Sequence, residues 1–173
     1  MQLSINEQIH LSEFRPTDRI ACVRHLCDRE IYDRTLRIPY PYAEADFDTW
    51  LEMIAKAAER HGEAVHFAIR TSDGSLIGGC GFDGLTKGHR AEIGYWLAKS
   101  YWGQGIMSAV VGRVCEYALD SWKLVRITAH VFDFNAASAR VVEKNGFECE
   151  GHLRKHFLKD GRFIDSKLYA LVR

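Results

Sequence analysis

The chain has 173 residues, 47% of them hydrophobic and 27% charged, which suits one compact domain (residues 1–173) with a real core. Its 23 Lys and Arg balance 23 Asp and Glu, so no net field points to nucleic acid or a membrane as partner. An anionic ligand stays open, because a local anion site needs only a few oriented donors. In chain order, Ile9–Arg15 reads as a first strand ended by Pro16. Thr17 and Asp18 can open a helix that turns Ile20, Val23 and Cys27 inward. Residues 36–42 cannot continue it, since Pro39 and Pro41 forbid regular helix, and they form a loop rich in aromatics. Phe47, Trp50, Leu51, Ile54 and Ala58 recur at helical spacing and predict a second amphipathic helix ending near Gly62.

Strands follow. Val65, Phe67 and Ile69 alternate, Ser72-Asp73-Gly74 turns, and Leu76–Phe82 resumes as a glycine-rich strand. In Ala91–Ala98, Ala91, Ile93, Tyr95 and Leu97 share one face, while Glu92, Gly94, Trp96 and Ala98 share the other. From Gly105 a longer helix is marked by Ile106, Val110, Val114 and Ala118. Val125–Phe132 reads as a buried strand, and Asn135–Asn145 as a short helix closed by Gly146 in the left-handed position. Leu153–Leu158 and Phe163–Val172 flank Asp160-Gly161, a hairpin signal. The order β-α-α-β-β-β-α-β-α-β-β predicts an α/β (α+β) fold, a mixed sheet with helices on both faces.

No stretch approaches the roughly 18 unbroken apolar residues of a membrane span. Met1–His10 carries neither the basic flank nor the apolar run of a secretion signal. Cys22, Cys27, Cys80, Cys115 and Cys149 are odd in number and lack C-x-x-C spacing. They read as small apolar residues in a reducing cytoplasm, not as a disulfide framework or zinc site.

The stretch Tyr101-Trp102-Gly103-Gln104-Gly105-Ile106-Met107-Ser108 joins a strand to an amphipathic helix. Its two glycines let the backbone bend closely around a ligand or a tight turn. A helix N-terminus adds unpaired N–H donors and the positive end of a dipole, together an anion site. No Gly-Lys-Ser/Thr ending marks a P-loop, and the spacing is not G-x-G-x-x-G. Around this stretch stand Ala91-Glu92-Ile93-Gly94-Tyr95-Trp96-Leu97 before it and Asn135-Ala136-Ala137-Ser138 after the next strand. Glu143-Lys144-Asn145-Gly146-Phe147, Glu150-Gly151-His152-Leu153-Arg154 and the Asp160-Gly161 hairpin follow.

These motifs, in this order, resemble the GNAT superfamily of N-acetyltransferases, and within it the RimJ/RimL-like branch that acetylates ribosomal-protein N-termini. The resemblance covers nearly the whole chain in element order and is most specific from Ala91 to Arg154. It implies the GNAT acyl-CoA N-acyltransferase fold, mostly antiparallel, with acetyl-CoA as co-substrate. It implies that backbone N–H groups from Trp102, Gly103, Gln104, Gly105, Ile106, Met107 and Ser108 hold the CoA pyrophosphate. The strand end Trp96, Leu97 and Ala98 would pair with the pantetheine arm like a neighbouring strand. The superfamily loop is usually Arg/Gln-x-x-Gly-x-Gly/Ala, whereas Trp102 holds the first place here and the bulkier Met107 the last.

Acetyl transfer to an amine needs a proton acceptor, because an amine is mostly protonated at neutral pH, and a donor for the developing oxyanion. Glu92 is the candidate base; the other reading is a strand-end carboxylate in an ordinary salt bridge. Gly94 beside it leaves room for an acceptor, and a backbone N–H near Trp96 or Leu97 is the candidate oxyanion donor. By the resemblance, Asn135 contacts the pantetheine or acceptor and Ser138 lies near the thiol, where it relays a proton; both also suit simple helix capping. Tyr40 and Tyr42, in the proline loop, are the candidates for acceptor contact, whereas Trp50 and Phe47 read as core. His152 and His156 can share a strand face, yet no third ligand accompanies them, so no metal is expected. Lys155, Lys159, Arg162 and Lys167 make the terminal hairpin basic, a solvated face by default.

The expected function is direct transfer of acetyl from acetyl-CoA to a protein N-terminal α-amine in a ternary complex, by a cytoplasmic monomer or homodimer. The alternatives are a small amine acceptor (amino acid, polyamine or antibiotic) or a non-catalytic acyl-CoA sensor.

Overall fold

The computed structural model describes residues 3–173. Eight strands form a mixed sheet in the order β1-β2-β3-β4-β5-β6-β8-β7, where β1 is Leu3–Ser4, β2 Ile9–Ser12, β3 His66–Thr71, β4 Leu76–Thr86, β5 Arg90–Leu97, β6 Arg126–Phe132, β7 Glu148–Lys159 and β8 Arg162–Val172. The helices are α1 Arg19–Leu26, α2 Arg29–Arg34, α3 Glu44–His61, α4 Ile106–Ser121 and α5 Ala136–Glu143. β5 and β6 pair in parallel, whereas β1–β2, β2–β3, β3–β4, β6–β8 and β7–β8 are antiparallel.

The chain divides into two compact units. The first comprises the chain up to Gly81 together with Tyr95–Ile106. Its core gathers Cys22, Leu26, Ile31, Tyr42, Phe47, Ala68 and Leu76, with Phe14, Trp50, Trp96 and Trp102 packed against them. The inward side of α1 is Cys22 and Leu26, and Ile20, expected inside, is 75% exposed. A 3-10 turn at Pro16–Asp18 takes the residues expected to start the helix, and the i, i+4 pair facing the core sets its rotation. Asp28 caps the unforeseen α2 by accepting from the Glu30 and Ile31 backbones. Gly62 ends α3 in the left-handed conformation.

Buried Arg70 leaves β3 at a register shift and donates to both carboxylate oxygens of buried Asp18, at 2.9 and 2.7 Å, and to Ser12 Oγ at 2.7 Å. The glycines of β4 make room for their neighbours. A Cβ on Gly78 would stand 2.6 Å from the Trp96 carbonyl oxygen, and one on Gly79 2.7 Å from the Trp96 indole nitrogen.

The second unit comprises Phe82–Gly94 and Met107–Arg173. Val110, Val111, Val114 and Ala118 of α4 are wholly buried, as are Ile127 of β6 and Val142 of α5. Trp122 sits edge-on to Phe82 and Tyr117, with ring centroids 5.2 and 5.5 Å away. Asn145, just past α5, donates through Nδ2 to the Ser108 and Val141 carbonyls at 3.0 and 2.8 Å. Its Oδ1 fills the space over Gly112, where a Cβ would stand 2.6 Å away. Gly146 follows at φ +78°, as expected of a helix end. Asp160 and Gly161, at φ +50° and +71°, turn β7 into β8.

Candidate active site

In the first unit, β5 runs into a 3-10 turn at Lys99–Tyr101, then into the Trp102–Gly105 loop that opens α4 at Ile106. The strand end is held by its own chain. The Ala98 N–H donates to the Ile77 carbonyl at 2.8 Å, and the Trp102 indole N–H donates to the Leu97 carbonyl at 2.8 Å. Trp102 thus turns its ring back toward the core, with the Arg34 guanidinium 5.4 Å above it. Gln104 Nε2 donates to the Ser100 carbonyl at 3.1 Å. Gly103 and Gly105 adopt φ of +75° and +76°, and no atom lies within 4 Å of where a Cβ would stand on either. Only glycine takes that backbone without strain. The backbone before α4 is therefore both bent and open, which fits an anionic group such as a pyrophosphate at the helix start.

Tyr40 and Tyr42 part company. Tyr40 is exposed and lies 5.3 Å from the Tyr32 ring. Tyr42 is 6% exposed within the core, and burial pushes its phenol well above the usual range. Only Tyr40 of the two presents its ring to solvent.

In the second unit, Met107 is buried with the inner side of α4, and Ser108 is half-buried with its carbonyl bonded to Asn145. Asn135 caps α5: its Oδ1 accepts from the Ser138 N–H at 3.2 Å. The capping geometry foreseen for this pair is present, and the Ser138 side chain is half-buried beside it.

β5 and β6 pair over Arg90–Glu92 and Arg126–Thr128, and the pairing stops before Ile93 and Gly94. Glu92 occupies the last rung. Two residues beyond its partner Thr128, on the same face of β6, His130 brings Nδ1 to 3.3 Å from Glu92 Oε1. Gly94, next on the Glu92 face, is exposed with nothing within 4 Å of a built Cβ.

The His130 ring lies 5.0 Å from that of His156 and 5.9 Å from that of Phe157. His156 Nδ1 is 2.8 Å from the hydroxyl oxygen of fully buried Ser166. His152 turns instead to Asp133 and Asp165, at 3.6 and 3.7 Å. The two histidines expected to share a strand face do not act together, because a register shift separates them. Leu153 and Phe157 pair with Ser166 and Ile164, so β7 carries two extra residues there.

His130 escaped the sequence reading because Val125–Phe132 looked like a strand buried on both sides. The signal was its alternation: Arg126, Thr128 and His130 are half-buried while Ile127, Ala129 and Val131 are buried. Among the described residues no group of three or more His, Cys, Asp or Glu is placed to hold a metal ion. No described helix is long and apolar enough to cross a membrane.

The sequence profile of the acetyltransferase (GNAT) domain matches residues 8–148. Three Bacillus N-acetyltransferases are 35–41% identical, and the chain spans 56–64% of their length. The L-amino acid N-acetyltransferase AaaT of Escherichia coli is 30% identical over 148 residues, 83% of this chain and 85% of that one. The ribosomal-protein-serine acetyltransferase of the same organism is 36% identical over 115 residues, 65% of this chain and 63% of that one. RimL, a ribosomal L7/L12 α-N-protein acetyltransferase solved with coenzyme A, superposes with a TM-score of 0.89 over 99% of this chain and 98% of its own at 20% identity, a likeness of fold. With the profile spanning both glycine-containing loop and Glu92 strand, the chain belongs to the GNAT acetyltransferase family.

Proposed function

We propose that the chain transfers acetyl from acetyl-CoA to an amine, with a protein N-terminal α-amine as acceptor. The observation that carries this is the bent, open backbone at Gly103 and Gly105 where α4 begins. Backbone N–H groups from Trp102 to Ser108 would hold the pyrophosphate, and Trp96, Leu97 and Ala98 would lie along the pantetheine arm. Leu97 O and Ala98 N–H already have protein partners in the Trp102 indole and the Ile77 carbonyl. Bound acetyl-CoA supplies a thioester whose carbonyl carbon the amine attacks. Glu92, beside the open Gly94, is the carboxylate through which the amine's proton leaves, directly or through one further group. Asn135 fixes the first turn of α5, where Ser138 would stand near the departing thiol. Tyr40 would meet the acceptor.

A protein N-terminus is supported by the ribosomal-protein-serine acetyltransferase relative. The L-amino acid relative, matched along 85% of its length, favours a free amino acid as the second reading.

A panel of N-terminal peptides, amino acids and polyamines with acetyl-CoA, read as released thiol, separates the two acceptor readings. CoA binding with no thiol released in the presence of any of these amines would favour a sensor. Gly105→Val should weaken CoA binding in a folded protein, because a branched side chain crowds the bend. Unchanged affinity would remove the loop from the site.

A further inference from the structure

Resting on this acetyltransferase reading, we infer that His130 takes the proton from the acceptor amine and that Glu92 positions it. Glu92 sits on the last rung of the β5–β6 ladder, and His130 is the next polar side chain along that face. With Nδ1 3.3 Å from Glu92 Oε1, the carboxylate holds the proton on Nδ1 and leaves the Nε2 lone pair to receive another. It also offsets the positive charge that then forms. An imidazole carries one N–H and one acceptor nitrogen, so His130 can hold a proton toward Glu92 on one side while accepting another on the other. His130 keeps 22% of its side chain exposed, so it is held yet reachable.

The surroundings fix the ring. Phe157 packs edge-on, and His156 lies tilted against it at 5.0 Å. The two extra residues of β7 produce this: Lys155 takes φ +51°, its N–H donates to Asp165 Oδ1 at 2.7 Å, and His156 is turned onto Ser166. Among the described residues, the titratable side chains set against His130 from other elements are Glu92 of β5 and His156 of β7. Arg126, on its own strand, is paired with Glu150, and Asp133 with His152 and Lys167.

In the balanced step an ammonium gives one proton to His130 Nε2, and the freed lone pair forms the C–N bond. The C–S bond breaks and its electron pair goes to sulfur. Of the two further protons exchanged, the one leaving the new amide nitrogen matches the one that makes the thiol, so one proton reaches solvent through His130.

The test uses the full chain with an α-amine peptide. His130→Gln should lower turnover about 100- to 10,000-fold with CoA affinity and acceptor KM unchanged. Adding Glu92→Gln to it should cost little more, since both remove one device. Imidazole in the buffer should restore part of the turnover of His130→Ala, which a packing role would not permit. If His130→Gln does not fold, His130→Asn with the same readouts decides. Wild-type turnover in His130→Gln, or additive losses without imidazole rescue, would overturn the assignment. A wild-type chain that binds CoA but acetylates no amine would instead fail the underlying function.

Discussion

Gly78 and Gly79 in β4 have ordinary extended backbone, yet a Cβ on either would collide with the carbonyl or indole of Trp96. Gly103 and Gly105 have left-handed backbone, yet a Cβ on either would meet nothing. The first pair lacks side chains because the protein fills that space itself. The second lacks them because the chain must bend, and the space beside it is open. A glycine-rich stretch in a sequence conceals which of these it is, and the two respond differently to the same substitution.

The largest effect is expected on the filled side of the first unit. Asp18→Ala leaves the Arg70 guanidinium buried without its carboxylate, which costs about 3–5 kcal/mol, measured by urea unfolding. Gly78→Ala comes next. The obstacle is a backbone oxygen, so the strands must shift, at about 1–3 kcal/mol. Buried Cys80, two residues away, should then react faster with a thiol reagent, while the exposed Cys27 and Cys149 are unchanged. An alanine at 78 that leaves stability and Cys80 untouched would break the comparison.

Gly103→Ala is expected to be milder for the fold, about 1 kcal/mol for the left-handed residue, but to lower CoA affinity, read by calorimetry. The smallest effect is on pH. Burial, with Asp18 adding to it and Arg70 opposing, pushes the Cys22 thiol from 9.0 up to about 12. The raised value means the folded chain favours the neutral thiol, so its stabilisation is complete below 9.0 and is lost as pH rises from there toward about 12. Cys22→Ala should flatten the alkaline fall in unfolding free energy.

Much of the fold was legible because period and punctuation agree: α3 stops at Gly62, α4 starts after Gly105, and the last hairpin turns at Asp160-Gly161. What escaped depends on tertiary contacts. The rotation of α1 is set by a core that Ile20 does not join. β1 is two residues long, too short to carry a period, and α2 leans on a cap at Asp28. Gly103 and Gly105 before α4, and Glu92, were visible as a motif. His130 and His156 were not paired in advance, because only the β7 bulge and the end of the β5–β6 ladder bring them to one place. Tyr42 looked like its neighbour Tyr40 and is core, since a loop residue's direction is not written in its spacing.

Asn145 reaches across to Ser108 and lies against Gly112 with no room for a methyl group. The two positions are therefore not free to drift independently during evolution. An alanine at 112 displaces the Asn145 amide from its bonds to the Ser108 and Val141 carbonyls, and relatives with a different residue at 145 should be the ones that tolerate a side chain at 112. An alignment would show this as paired change between sites 33 positions apart.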